Sequence, residues 1–175
     1  MDVFEAINKR KSFRKYSGDV TEEEIEKILL AGEYSPVGRA MYDTLQITVV
    51  KNKELMEKIN AWSADFFKSN NHEPLYGAPV YFVVSTKLKE GDNNVPYSNA
   101  ATVVENMALE AVNLNLGTCH IWGATAALAK NATLVKELDI PEDFTPVCGL
   151  VVGMIDEEYV ERNLPKDRIK VNYVK

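Results

Sequence analysis

Val80-Tyr81-Phe82-Val83-Val84 is a run of five apolar residues with none of the polar alternation that marks a strand facing water. A run of this kind is a central strand buried on both faces, so the sheet that contains it needs cover on each side. The cover is available. Val3, Phe4 and Ile7 mark a short first helix. Thr21-Glu22-Glu23-Glu24 is a capping box, in which Thr21 caps and Glu24 reaches back to its amide. Ile25, Ile28, Leu29 and Gly32 follow at helical spacing, which predicts a second helix to about Tyr34, broken by Pro36-Val37-Gly38. Leu55, Ile59, Trp62 and Phe66 form the stripe of a third. Residues 100–116 form the longest, with Ala100, Ala101, Val104, Met107, Ala108, Ala111 and Leu114 on an arc broad enough for near-complete burial, and Gly117 as its left-handed cap.

Further strands are expected where Leu45, Ile47 and Val49 alternate with Thr44, Gln46 and Thr48, and over residues 118–122 and 147–154, with a helical stretch between the last two. Residues 87–96, containing Gly91, Asp92, Asn93 and Asn94, are a surface loop and a candidate lid. The expected fold is α+β: a mixed central sheet flanked by helices. Residues 1–155 form one domain, and 156–175 a C-terminal extension with no core of its own. In that extension Ile169, Val171 and Tyr173 alternate with Lys170, Asn172 and Val174, a strand in need of a sheet edge. The edge expected is that of a second subunit, making the protein a homodimer with its C-terminal strand exchanged.

Composition narrows the function. With 175 residues, 46% hydrophobic, the chain can bury a sizeable core. No apolar stretch approaches the roughly 18 residues of a membrane span, and the N-terminus lacks the pattern of a secretory signal. These features predict a cytoplasmic protein. A net charge of −6 argues against nucleic acid as a partner. Cys119 and Cys148 lie in apolar surroundings without a Cys-x-x-Cys pair and are expected to be reduced core residues. His72 and His120 are not at metal-ligand spacing.

Against that acidic background stand five cations in the first sixteen residues: Lys9, Arg10, Lys11, Arg14 and Lys15. Ser12 lies among them. A hydroxyl set among guanidinium and ammonium groups suits a phosphate monoester, since Arg offers a planar fork of donors and Lys a point charge. The same cations would also complement the dipole at the end of a short helix. No nucleophile elbow, Walker loop, His-Glu-x-x-His or Gly-x-Gly-x-x-Gly motif is present. A chain so poor in acid–base constellations has to borrow its chemistry from a bound cofactor.

Arg10 to Tyr16, Ser35-Pro36, Glu105-Asn106-Met107-Ala108-Leu109-Glu110-Ala111, residues 116–123, Leu138-Asp139-Ile140-Pro141-Glu142 and Gly149-Leu150-Val151-Val152-Gly153 together resemble the FMN-dependent nitroreductase family, in order and over essentially the whole chain. The resemblance implies that Arg10, Lys11, Ser12 and Arg14 hold the FMN phosphate and ribityl chain, joined by Lys166 and Arg168 from the tail. It places the backbone amides of Trp122 and Gly123 beside flavin N5 and O4, while the Trp122 indole on its own is expected to pack in the core. Pro36, Val37 and Gly38 match the loop that reaches the flavin across the dimer interface, and Asn71 matches a contact to the pyrimidine ring. Where many members have Asn-x-Gln-Pro-Trp, this chain has Ala40-Met41-Tyr42-Asp43-Thr44, so Tyr42 and Asp43 are the polar groups available there. The implied activity is reduction of a small electron-poor acceptor such as a nitro compound or quinone, with NADH or NADPH as donor, in ping-pong order and with no side chain as nucleophile or general base. The alternative is a flavin-binding redox sensor or carrier without efficient turnover.

Overall fold

A computed structural model describes residues 1–89 and 94–175. Six helices, α1 (Val3–Lys9), α2 (Glu22–Glu33), α3 (Lys53–Phe67), α4 (Val95–Asn113), α5 (Gly123–Leu128) and α6 (Ala132–Glu137), surround four strands, β1 (Leu45–Val50), β2 (Val80–Thr86), β3 (Gly117–His120) and β4 (Thr145–Gly153). The strand order is β1-β2-β4-β3, and every neighbouring pair is antiparallel. Among the described residues, an isolated parallel bridge between Ser12 and Thr118 on the outer edge of β3 is what makes the sheet mixed.

As its apolar run requires, β2 is buried along its whole length. Val80, Phe82 and Val84 point into a core shared with Ile25 and Ile28 of α2 and Val104, Met107 and Ala111 of α4. Tyr81 and Val83 point the other way, against Met56 and Ile59 of α3, Leu128 of α5 and Leu134 of α6. The period-two alternation of one strand therefore builds two cores and three layers. Each fully buried Val, Leu or Phe contributes roughly 1.5–3 kcal/mol.

Several boundaries depart from expectation for identifiable reasons. The capping box of α2 forms as written, with Glu24 accepting from the Thr21 amide at 2.8 Å. Helix α4 starts at Val95, with Pro96 in its first turn; Asn94 supplies no side-chain cap, so the start carries no polar signature. Ala101 of that helix is exposed, and burial is confined to the face toward the sheet. The left-handed cap is Asn115 (φ 61°) rather than Gly117. Leu116 N–H donates to Ala111 O and Asn115 N–H to Val112 O, both at 2.9 Å, which is a Schellman closure. Gly117 opens β3 instead, and its glycine is required by packing: a Cβ there would lie 2.3 Å from Ile155 Cγ2. The candidate lid centres on residues 90–93, outside the described residues. Residues 156–175 form no strand within this chain.

Candidate functional site

Helix α1 ends at Arg10, whose extended backbone (φ −53°, ψ 124°) turns the chain out of the helix while its N–H still bonds Ala6 O. From there the chain runs along β3. Ser12 bridges Thr118, and Phe13 N–H donates to Thr118 O at 2.8 Å. Phe13 is buried, with its ring edge-on to Tyr159 at 5.3 Å. Anchoring Phe13 throws its neighbours outward. Lys11 lies over the Phe13 ring at 4.6 Å and pairs with Glu157 at 2.6 Å. The Arg14 guanidinium lies 5.6 Å from the centre of the Tyr76 ring.

The tail completes this cluster. Arg162 Nε donates to Asn8 O at 2.6 Å and Nη2 to Ile7 O at 2.9 Å, so its guanidinium caps the open carbonyls at the end of α1. Burial, then repulsion from Arg10 and from Arg168, presses the Arg162 guanidinium below its ordinary pKa. Arg10 and Arg168 are thus both near enough to Arg162 to repel its guanidinium. Lys166 is exposed on the same tail segment. Arg162 is the residue that sequence reasoning missed: it stands between Glu161 and Asn163, and nothing in that local pattern singles it out.

Beyond Arg14 a cavity of about 260 Å³ opens, lined by Phe67, Asn71, Tyr76, His120, Trp122 and Gly123 among others. Trp122 does not pack in the core: it is 76% exposed and stands at the start of α5. Gly123 leaves its backbone approachable, since the nearest atom to a Cβ built there is Phe67 Cε2 at 3.8 Å. The turn between β3 and α5 is fixed from below. Ile121 N–H donates to Gly149 O at 2.8 Å, and the Thr125 hydroxyl donates to Ile121 O at 2.6 Å.

Cys119 lies under the N-terminal segment, buried, with its thiol pKa raised by desolvation and partly offset by Arg14, a Ser12 hydrogen bond and Arg10. Cys148 is half-buried, its thiol likewise raised by burial, and both cysteines are free. Glu105 joins α4 to the cluster: its carboxylate lies 3.9 Å from Arg10 Nε and 3.1 Å from His120 Nε2.

Pro36, Val37 and Gly38 lie elsewhere. Gly38 N–H donates to Asn99 Oδ1 at 2.9 Å, and Val37 lines a second, apolar cavity of about 370 Å³ with Leu29, Tyr42, Ile47 and Val103. The two cavities share no lining residue. One chain therefore brings Arg14 against Tyr76, on the wall of the cavity that holds Trp122 and Gly123, and leaves Val37 on a different cavity.

Among the described residues no helix is long and apolar enough to cross a membrane. A nitroreductase with bound FMN from Bacteroides fragilis has the same fold, with a TM-score of 0.81 at 24% identity over 99% of this chain and 100% of that one. A second, from Desulfitobacterium hafniense and also with bound FMN, gives 0.82 at 22% identity over the whole of both chains. A curated relative from Methanothermobacter thermautotrophicus, named "Putative NADH dehydrogenase/NAD(P)H nitroreductase", is 30% identical over 178 residues, which is 97% of this chain and 86% of that protein. The model of the Nitroreductase family matches residues 7–154, and the chain belongs to that family.

Proposed function

We propose that this protein is an FMN-dependent oxidoreductase that uses NADH or NADPH to reduce small electron-poor acceptors, and that it works as a homodimer. The observation that carries the reading is that Arg10 and Arg168 both lie near enough to Arg162 to repel it, while Arg14 of the same N-terminal segment lies against Tyr76, on the wall of the cavity that also holds Trp122. A phosphate monoester bears about −1.5 to −2 charges, enough to relieve the mutual repulsion of these guanidiniums. The residues present fit FMN. Cations and a hydroxyl suit its phosphate, and the cavity with an open glycine backbone suits the approach of a planar ring. No glycine fingerprint is present for the pyrophosphate of a dinucleotide cofactor.

The chemistry a bound FMN supplies is two-electron transfer at N5, from the nicotinamide to a nitro compound or quinone in ping-pong order. The chain itself binds and orients. Arg10, Lys11, Ser12, Arg14, Lys166 and Arg168 hold the phosphate and ribityl chain. The amides of Trp122 and Gly123 would donate toward N5 and O4, where donors favour developing negative charge. Asn71, on the wall of the same cavity, would meet the pyrimidine end.

The dimer supplies the missing side. The outer edge of β3 already carries Ser12, so β1 is the sheet edge left for another strand. Residues 169–174 of the partner's tail fit that edge, since Ile169, Val171 and Tyr173 are 70–81% exposed in the single chain. Their docking brings Pro36, Val37 and Gly38 of one subunit toward the flavin of the other. On this reading 1–155 is the flavin-binding domain and the end of 156–175 belongs to the interface.

Anaerobic mixing of the yellow protein with NADH or NADPH tests the reading. Bleaching within seconds by at least one of them is expected. A flavin that stays oxidised with both would leave a flavin-binding module without turnover.

A further inference from the structure

Glu105 stands between two groups whose charges matter to an anion site. Its Oε1 faces Arg10 Nε at 3.9 Å and its Oε2 faces His120 Nε2 at 3.1 Å. The three residues come from three elements: Arg10 from the end of α1, Glu105 from α4 and His120 from β3. The His120 hydrogen bond, opposed by burial and reinforced by the charges of His120 and Arg10, lowers the Glu105 pKa below the usual carboxylate value. The carboxylate is therefore ionised at neutral pH, half-buried, next to a guanidinium of the proposed phosphate site.

The surrounding charges are otherwise of one sign or already matched. Arg14 lies over the Tyr76 ring, on the cavity that His120 also lines, and the Cys119 thiol feels both Arg14 and Arg10. From the tail, Arg162 and Arg168 face Arg10, and Tyr159 lies near it with its hydroxyl bound to Leu116 O. Lys11 is paired with Glu157. Glu105 is the negative group in contact with Arg10.

We propose that Glu105 is a positioning residue for Arg10, and that protonation of His120, by neutralising Glu105, strengthens the site's hold on a phosphate monoester. With His120 neutral, the Glu105 charge subtracts from the field of Arg10 and opposes an incoming dianion. With His120 protonated, carboxylate and imidazolium form a neutral pair, and Arg10 presents its full charge. The inference rests on the reading of this cluster as the FMN phosphate site. For unit charges several ångströms apart in a partly solvated setting, the effect is about three- to tenfold in affinity.

The test is a fluorescence titration of the flavin-free full-length protein with FMN and with riboflavin, between roughly pH 8 and pH 6. The phosphate takes up its own second proton near about 6, so each pH is compared with His120→Gln, in which that contribution cancels. The expected result is a ratio of FMN dissociation constants, variant over parent, that rises about three- to tenfold as the pH falls, with riboflavin showing no such rise. Glu105→Gln removes the opposing charge outright and should tighten FMN, but not riboflavin, at the upper end of this range. Tight FMN binding with a flat ratio, an equal pH effect on riboflavin, or a Glu105→Gln variant that binds FMN no more tightly than the parent overturns this inference and leaves the FMN reading standing. Absence of FMN binding by the parent at any pH overturns both.

Discussion

The hydroxyl of Tyr159 donates a 2.7 Å hydrogen bond to the backbone carbonyl of Leu116, at the point where α4 gives way to β3. The same ring stands edge-on to Phe13. One tail side chain thus ties together the start of β3 and the segment that carries Ser12, and it fixes where Arg162 and Arg168 can reach.

Tyr159→Phe keeps the ring contact and removes the hydrogen bond. It should cost about 1 kcal/mol, seen as a lower denaturant midpoint with an unchanged slope. Flavin affinity should fall with it, because the tail guanidiniums lose their anchor. A variant as stable as the parent would show that the tail is held from elsewhere.

Gly149→Ala attacks the cavity from beneath. A Cβ at Gly149 would lie 2.4 Å from Thr125 Oγ1 and 2.7 Å from Tyr81 Cε2, both in the buried core. The Tyr81 and Thr125 hydroxyls share a 2.7 Å hydrogen bond that has no room to yield. The cost should be at least about 1–3 kcal/mol, and flavin content should drop as the turn at Ile121 shifts. Thermal melting with and without added FMN measures both.

The layers of this fold were legible because β2, the α2 capping box and the stripe of α3 are local signals. The start of α4 was not, since Asn94 makes no cap hydrogen bond and Asn94-Val95-Pro96 reads equally well as the end of a polar turn. Asn115 rather than Gly117 closes that helix because packing against Ile155 and Phe13 had already claimed the glycine for β3. In the site, the cations around Ser12 stood out against an acidic chain. Their partners did not: Glu105, His120, Tyr76 and Arg162 are far apart in sequence and meet only through the sheet and the tail. The Trp122 indole was misplaced because an apolar strand end looks the same whether it faces a core or a cavity.

Deleting residues from Arg162 onward removes the cap on α1, two guanidiniums of the cluster and the segment proposed to dock on the partner. Stability, flavin content and dimer mass should fall together, as followed by melting, absorbance and sedimentation. A truncated form that stays dimeric, yellow and equally stable would detach the tail from the site.

Arg10→Ala should weaken FMN binding far more than folding. A charge-assisted hydrogen bond to phosphate is worth about 1.5–3 kcal/mol, so affinity should fall roughly tenfold to a hundredfold. Lys9→Ala is the control, since Lys9 is engaged with Glu5 one turn back on α1. Equal FMN affinity in both variants and the parent would remove the N-terminal cluster as the phosphate site.

The central claim is that this chain is built around a flavin mononucleotide, and mass analysis of the cofactor released by heating the purified protein tests it most directly. The account predicts FMN, bound at purification or taken up on reconstitution. Recovery of FAD, or no flavin after reconstitution, would contradict it.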